Sequence, residues 1–268
     1  MKDRYPERIV CLTEETTETL YLLGQEHRIV GISGFTVRPP RARKEKPKVS
    51  SFLSAKTDRI VALKPDLVLG FSDLQADIAA ELVRQGLEVH VFNHRSVAEI
   101  FRTIAVLGGM IGCERKTTEL LAELEQGVEA VRSAGANLPR RPRVFFEEWD
   151  EPLISAIRWV SELIEIAGGQ DCFPELAACS LGKDRIIADP LEVVRREPDI
   201  IIGSWCGKKF RPERVAERPG WEKVPAVVNR ELHEIKSPLI LQPGPAALTD
   251  GLHALHKIIA DWATTGSA

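Results

Sequence analysis

No run in the 268 residues approaches the roughly 18 consecutive apolar residues that a membrane-spanning helix needs, so a soluble chain with no membrane insertion is expected. Positive charge is not in excess. Lys and Arg number 36 against 39 Asp and Glu, for a net charge of −3, which excludes a surface built to track a phosphate backbone and so argues against nucleic acid as a partner. Cysteine is sparse and unpatterned: Cys11, Cys113, Cys172, Cys179 and Cys206 are odd in number and contain no C-x-x-C pair. Neither a disulfide framework nor a zinc knuckle is indicated, and small packed residues or free thiols are expected. The first residues enter the apolar run Ile9-Val10-Cys11-Leu12 almost at once, leaving no room for a signal peptide, which predicts a cytoplasmic protein.

Enzymatic motifs are missing as well. Gly108-Gly109-x-x-Gly112 is not a dinucleotide fingerprint, and the segment from Gly112 to Thr117 lacks the glycine that a phosphate loop places before its lysine. Gly31-Ile32-Ser33-Gly34 does not have the spacing of a nucleophile elbow, and chain order nominates no Ser-His-Asp or Cys-His set. No catalytic residue and no resident metal or cofactor is therefore assigned.

What is present is ordinary globular composition, 44% hydrophobic and 28% charged, in a chain long enough for two modest lobes. A duplication divides it. Lys64-Pro65-Asp66-Leu67-Val68-Leu69-Gly70 and Glu197-Pro198-Asp199-Ile200-Ile201-Ile202-Gly203 both read as a helix end, Pro-Asp, and a strand buried on both faces and stopped by glycine. The two prolines lie 133 positions apart. Arg8-Ile9-Val10-Cys11-Leu12 and Arg143-Val144-Phe145-Phe146-Glu147 open the two halves at nearly the same offset, each followed by a helical pattern ending in glycine, at Gly24 and at Gly168-Gly169.

Further strands are expected at Val30-Gly31-Ile32, Val89-His90-Val91-Phe92 and Leu232-His233-Glu234-Ile235. Between the halves the pattern is helical: one helix from Ser96 to about Leu107, broken by Gly108-Gly109 and Gly112, then a longer one from about Glu114 to Ser133. Leu120, Leu121, Leu124, Val128 and Val131 give the second helix its apolar stripe. The fold class is thus α/β, two similar lobes with mainly parallel sheets flanked by helices, joined by a single long helix. The expected divisions are an N-terminal lobe over 1–112, the interlobe helix over 113–134 and a C-terminal lobe over 135–268.

The run Asp58-Arg59-Ile60-Val61-Ala62-Leu63-Lys64-Pro65-Asp66-Leu67-Val68, Gly31-Ile32-Ser33 with Pro39-Pro40 after it, and the central helix resemble the periplasmic binding proteins for cobalamin and ferric siderophores. The likeness covers nearly the whole chain and is nearest to the vitamin B12-binding branch. It implies two lobes joined by a long helix, a ligand held in the cleft between them, and no covalent chemistry. The ligand would be a small-molecule metal chelate: cobalamin, haem or a ferric siderophore. It further implies a periplasmic location and, for an exported chain, an ABC transporter permease as partner.

In open α/β sheets the ligand crevice lies beyond the carboxyl ends of the strands. That rule selects Thr13 and Glu14, Phe35 and Arg38, Phe71 and Ser72, Glu148 and Trp149, Trp205, and Gln242 in the loop near Pro243-Gly244. Aromatics are only 6% of the chain, yet Trp149 and Trp205 would oppose Phe35, Phe52 and Phe71 as apolar walls for a large flat ligand. The alternative is that the rings cap the cores. Arg38 would meet a polar rim or an anionic group, and Glu148 would accept hydrogen bonds from ligand amides.

Three other patterns stay open. Glu147-Glu148-Trp149-Asp150-Glu151 is either a solvated charge run or a hard-cation site. The basic residues Arg38, Arg41, Arg43, Lys44, Lys46 and Lys48 form an extended loop, either solvated or able to steer an anionic ligand. Asp250, His253 and His256 suit an exposed helix face as well as a metal, and His94 lies near enough to a strand end to serve as an axial ligand. The expected function is binding of a corrinoid or other metal chelate. The alternative is a cytoplasmic enzyme or insertion factor acting on a tetrapyrrole or metal chelate, using Glu148 or His94.

Overall fold

A computed structural model describes residues 4–265. The chain divides into two compact units, one comprising the chain up to His94 together with Ala98–Glu123, the other Arg95–Val97 together with the chain from Leu124 onward. In the first unit, β1 (Ile9–Cys11), β2 (Ile29–Ser33), β3 (Lys48–Ser50), β4 (Leu67–Phe71) and β5 (Val89–Phe92) form a wholly parallel sheet in the order β3-β2-β1-β4-β5. Strand order reverses between β1 and β4. Both strands are buried along their whole length, and Val10, Leu12, Val49, Ile60, Val68 and Leu82 pack into one core against them.

The second unit repeats the plan with a variation. Here β6 (Arg143–Asp150) lies beside β9 (Ile200–Gly203), which pairs with β10 (Leu232–Glu234), all parallel. On the other side of β6 are β8 (Gln170–Asp171), parallel to its start, and β7 (Leu153–Ser155), antiparallel to its end. The core is aromatic: Phe145, Phe173, Trp205, Phe210 and Trp221 pack around Ile201 and Val215.

The duplicated Pro-Asp has a shared structural duty. Asp66 accepts the backbone N–H groups of Glu7 and Arg8, each at 2.8 Å, while Asp199 accepts the N–H of Arg143 at 2.7 Å. The backbone answers in both: the Asp66 N–H donates to the Arg8 carbonyl and the Asp199 N–H to the Arg143 carbonyl, at 2.9 and 2.8 Å. Each aspartate thereby pins the start of its unit's central strand to the strand it introduces. The residue before each proline, Lys64 or Glu197, takes the left-handed conformation at φ 49° or 46°, in keeping with the exclusion of right-handed helix ahead of proline.

The helices between the halves differ from expectation at one point. The first runs unbroken from Val97 to Met110, through Gly108-Gly109. A Cβ on Gly108 would lie 1.9 Å from the Thr117 hydroxyl, so that glycine is set by close helix packing and not by a break. The chain turns at Gly112, with φ 69°. The long helix then spans Glu114–Ala136, about 35 Å at 1.5 Å per residue, and passes without interruption from the first unit into the second. Leu124, Val128 and Val131 are buried along it. Among the described residues, no helix is long and apolar enough to cross a membrane.

Candidate functional site

The order reversal between β1 and β4 is the topological switch point of the first sheet, where ligands of parallel sheets collect. Beyond β1 comes Thr13, and the helix Glu14–Leu22 starts at once. Thr13, Glu14, Glu15 and Glu18 are all buried. The Thr13 hydroxyl donates to Glu15 Oε1 at 2.5 Å, while Glu15 Oε2 has no hydrogen-bond partner among the described residues. Burial first, and the charges of Glu14 and Glu18 after it, hold the Glu15 carboxyl up at about 8 despite the Thr13 hydrogen bond. Glu14 is raised too, by loss of water around it.

Beyond β4, Ser72 takes φ 66° and its hydroxyl accepts the Leu74 N–H at 3.2 Å. Gln75 ties the end of β4 to the loop after β3, accepting the Phe71 N–H at 3.0 Å and donating to the Phe52 carbonyl at 2.9 Å. Phe71 itself is buried, its ring edge-on to His94 at 5.0 Å. In the loops after β2, β3 and β4, Phe35 is 56%, Leu53 67% and Leu74 50% exposed, with Phe52 half-buried; Leu22, Val83 and Val106 are exposed singly on helices.

Arg38 does not stand free at a rim: its Nε donates to Glu18 at 2.7 Å. The basic stretch after it is no extended loop either. It contains the helical turn Ala42–Glu45 and β3, and its arginines are engaged, Arg41 with Glu26 and Arg43 with the carbonyls of Gly34 and Thr36. Glu18, Tyr21, Leu22, Arg38, Pro39 and Arg41 line a surface pocket of about 290 Å³.

In the second unit, strand alternation and a bulge between Glu147 and Trp149 send the acidic run in different directions. Glu147, fully buried, takes a two-pronged ion pair from Arg218 at 2.6 and 2.7 Å and the Trp205 indole N–H at 2.9 Å. Glu148 is clamped by the buried guanidinium of Arg185 at 2.7 and 3.1 Å. Asp150 pairs with Lys208 and Arg214, and Glu151 with Arg214. Every carboxylate of the run carries its own cation, so the hard-cation reading fails on charge. Glu148 serves Arg185 where a free acceptor for ligand amides was expected.

Trp149 is half-buried, its indole N–H donating to the Glu151 carbonyl at 2.9 Å, with the Lys208 ammonium 4.2 Å from its ring centre. Trp205 is only 3% exposed and lies edge-on to Phe210 in the core. Gln242 is half-buried, its carbonyl accepting the Gly244 N–H at 2.8 Å. Of the histidines, His94 is buried among Phe71 and Phe92, and His256 turns Nδ1 to the Ala167 carbonyl at 2.9 Å. Among the described residues, no three His, Cys, Asp or Glu side chains are grouped to hold a metal ion. Lys208 and Lys209 escaped the sequence reading, although they sit within four residues of the predicted Trp205 at the end of β9.

Known proteins share both the sequence pattern and the architecture. The chain is 23% identical over 263 residues to YvrC, an uncharacterized ABC transporter substrate-binding lipoprotein of Bacillus subtilis, covering 95% of this chain and 80% of that one. It is 23% identical over 249 residues to a vitamin B12-binding protein of Vibrio vulnificus, covering 90% and 86%. The periplasmic heme-binding protein RhuT from Roseiflexus superposes with a TM-score of 0.80 at 22% identity, over 94% of this chain and 99% of that one, and so has the same fold. A sequence profile described as "Periplasmic binding protein" matches residues 9–239. The chain belongs to the periplasmic binding protein family.

Proposed function

We propose that the chain binds a cobalamin-like corrinoid, or in its place haem or a ferric siderophore, and delivers it to an ABC transporter permease outside the cytoplasmic membrane. One observation carries the chemistry: the strand-end loops of the first unit expose Phe35, Leu53 and Leu74 beside half-buried Phe52. Large apolar side chains grouped on the ligand-binding edge of a parallel sheet suit the broad face of a macrocycle or chelate. Thr13, Glu14 and Ser72 stand at the adjoining switch point, and Trp149 near the end of β6 and Gln242 in the loop after the helix Ser237–Ile240 offer accessible surface in the second unit. Phe71, Trp205, Arg38 and Glu148 act in this reading as the support on which those groups are mounted.

Binding is favoured over turnover. Glu148 and His94, the side chains a catalytic reading needs, are respectively clamped by Arg185 and buried between rings. The family consists of solute-binding proteins. The vitamin B12-binding and heme-binding relatives support a chelate ligand, and the Bacillus lipoprotein supports a transporter partner.

Titration of the purified chain with cyanocobalamin, hemin and a ferric siderophore, followed by tryptophan fluorescence, tests the proposal. One of them should give a saturable change in the micromolar range. Phe35→Ala should weaken it about tenfold, the order expected for one exposed aromatic contact, without altering thermal unfolding. No saturable change with any of the three would overturn the reading.

A further inference from the structure

A pocket of about 260 Å³ opens at the carboxyl ends of β9 and β10, lined among others by Trp205, Lys208, Lys209, Glu234, Lys236 and Ser237. Its charges do not cancel. Lys208 is matched by buried Asp150, and Lys236 by Glu234 at 2.6 Å. Glu234 also accepts the Phe210 N–H at 3.2 Å, and its charge is felt by Lys209 as well as by Lys236. Lys209 makes no direct ion pair among the described residues and shares the charge of Glu234 with Lys236, so three lysines are set against two carboxylates, an excess of one positive charge.

The backbone adds donors. Gly207 takes φ 78°, and the N–H groups of Gly207, Lys208 and Lys209 reach no protein acceptor among the described residues. Consecutive unsatisfied N–H groups in such a turn favour anions. Ser237 also lines the pocket. The volume is too small for a macrocycle and suits one small oxyanion arm. Trp149 flanks it through Lys208, whose ammonium lies 4.2 Å from that ring and 5.1 Å from the Trp205 ring.

We infer that the pocket of Lys209 and Lys236 is an anion subsite, which takes a carboxylate or phosphate arm of the ligand while the body of the ligand rests against Trp149. The inference rests on the ligand-binding reading for its biological setting and deepens it: the ligand is acidic at one end. The geometry of charge makes a separate claim, that a small oxyanion alone is held there.

The two claims are tested by separate arms. In the first, the intact chain is acetylated with an N-hydroxysuccinimide ester at constant ionic strength, with citrate, with inorganic phosphate or with neither, and each lysine is followed by peptide mass spectrometry. Lys209 and Lys236 should be protected several-fold, while exposed Lys223 and Lys257 react as before. Protection by citrate alone identifies a carboxylate site, and protection by phosphate alone a phosphate site. Absence of protection, or equal slowing of all four, overturns the subsite.

In the second arm, cyanide-ligated cobyrinic acid and its heptamethyl ester are compared by tryptophan fluorescence. The acid should bind about tenfold more tightly, and a Lys209→Ala, Lys236→Ala double variant should lose that preference while keeping the affinity for the ester. Equal binding of acid and ester overturns the subsite and leaves the ligand reading standing. If neither corrinoid binds, the corrinoid version of the ligand reading fails, and the protection arm still decides the subsite.

Discussion

Glu15 carries a buried carboxyl held far from its ordinary state. Its carboxyl is 2% exposed, holds its proton to about 8 in the folded chain, and starts from an ordinary value of 4.5. The fold therefore binds this proton more tightly than the unfolded chain does. Stability from it is fully present below about 4.5 and is lost as pH rises through 8, because ν_U is smaller than ν_N across that window. Glu14, raised by the same burial, acts with the same sign. Glu15→Gln, which mimics the protonated form, should flatten the dependence of thermal stability on pH between 5 and 9. At pH 9 it should melt several degrees above the parent, at roughly 2–4 °C per kcal/mol for a chain of this size. Identical pH profiles for parent and variant would show that the carboxyl ionises without penalty.

The same scale explains which site residues the sequence could reveal. Position at a strand end was legible for Thr13, Phe35, Ser72 and Trp149, because the strands themselves were. Whether a ring there faces outward was not legible. Trp205 follows β9 as directly as Trp149 follows the first half of β6, yet its indole is drawn into the core by Phe210 and by Glu147, the latter remote in sequence. Lys208 and Lys209 carry no pattern of their own in the sequence, and the carboxylate that pairs with Lys208, Asp150, is remote from it along the chain.

At the scale of elements, the repeated Pro-Asp does measurable work. Each aspartate caps the start of a central strand through charge-assisted hydrogen bonds to backbone N–H groups, a kind of bond that contributes about 1.5–3 kcal/mol. Asp66→Ala and Asp199→Ala should each destabilise by that order in denaturant unfolding. An exposed control, Asp77→Ala, should change stability by less than about 0.5 kcal/mol. Losses no greater than the control's would reduce the repeat to a sequence coincidence. Strands of this kind, apolar on both faces and announced by Pro-Asp, were readable from sequence. β3, β7 and β8, of two or three residues each, were not, since they are too short to show a period and are defined by the strands they pair with. The run of helix through Gly108-Gly109 was hidden for a similar reason: the side chain that fills the space beside Gly108 belongs to Thr117 on the next helix.

For the molecule as a whole, membership of a solute-binding family and two units of matching topology raise a question about the ligand's reach. Each unit presents its own strand-end surface, apolar in the first around Phe35, Leu53 and Leu74, and aromatic with net positive charge in the second around Trp149 and Lys209. These differ in chemistry, so each unit's surface is tested for itself. Hydrogen exchange can tell whether one or both surfaces are used, because amides in strand-end loops open locally at low cost and a bound ligand slows that opening. With whichever chelate saturates the fluorescence signal, protection should rise in the segments around 34–37, 51–54 and 72–75 of the first unit and, for an acidic chelate, in the segment around 204–209 of the second. Protection confined to the first three segments would place the whole ligand on the apolar surface and assign Lys209 and its neighbours to some other task.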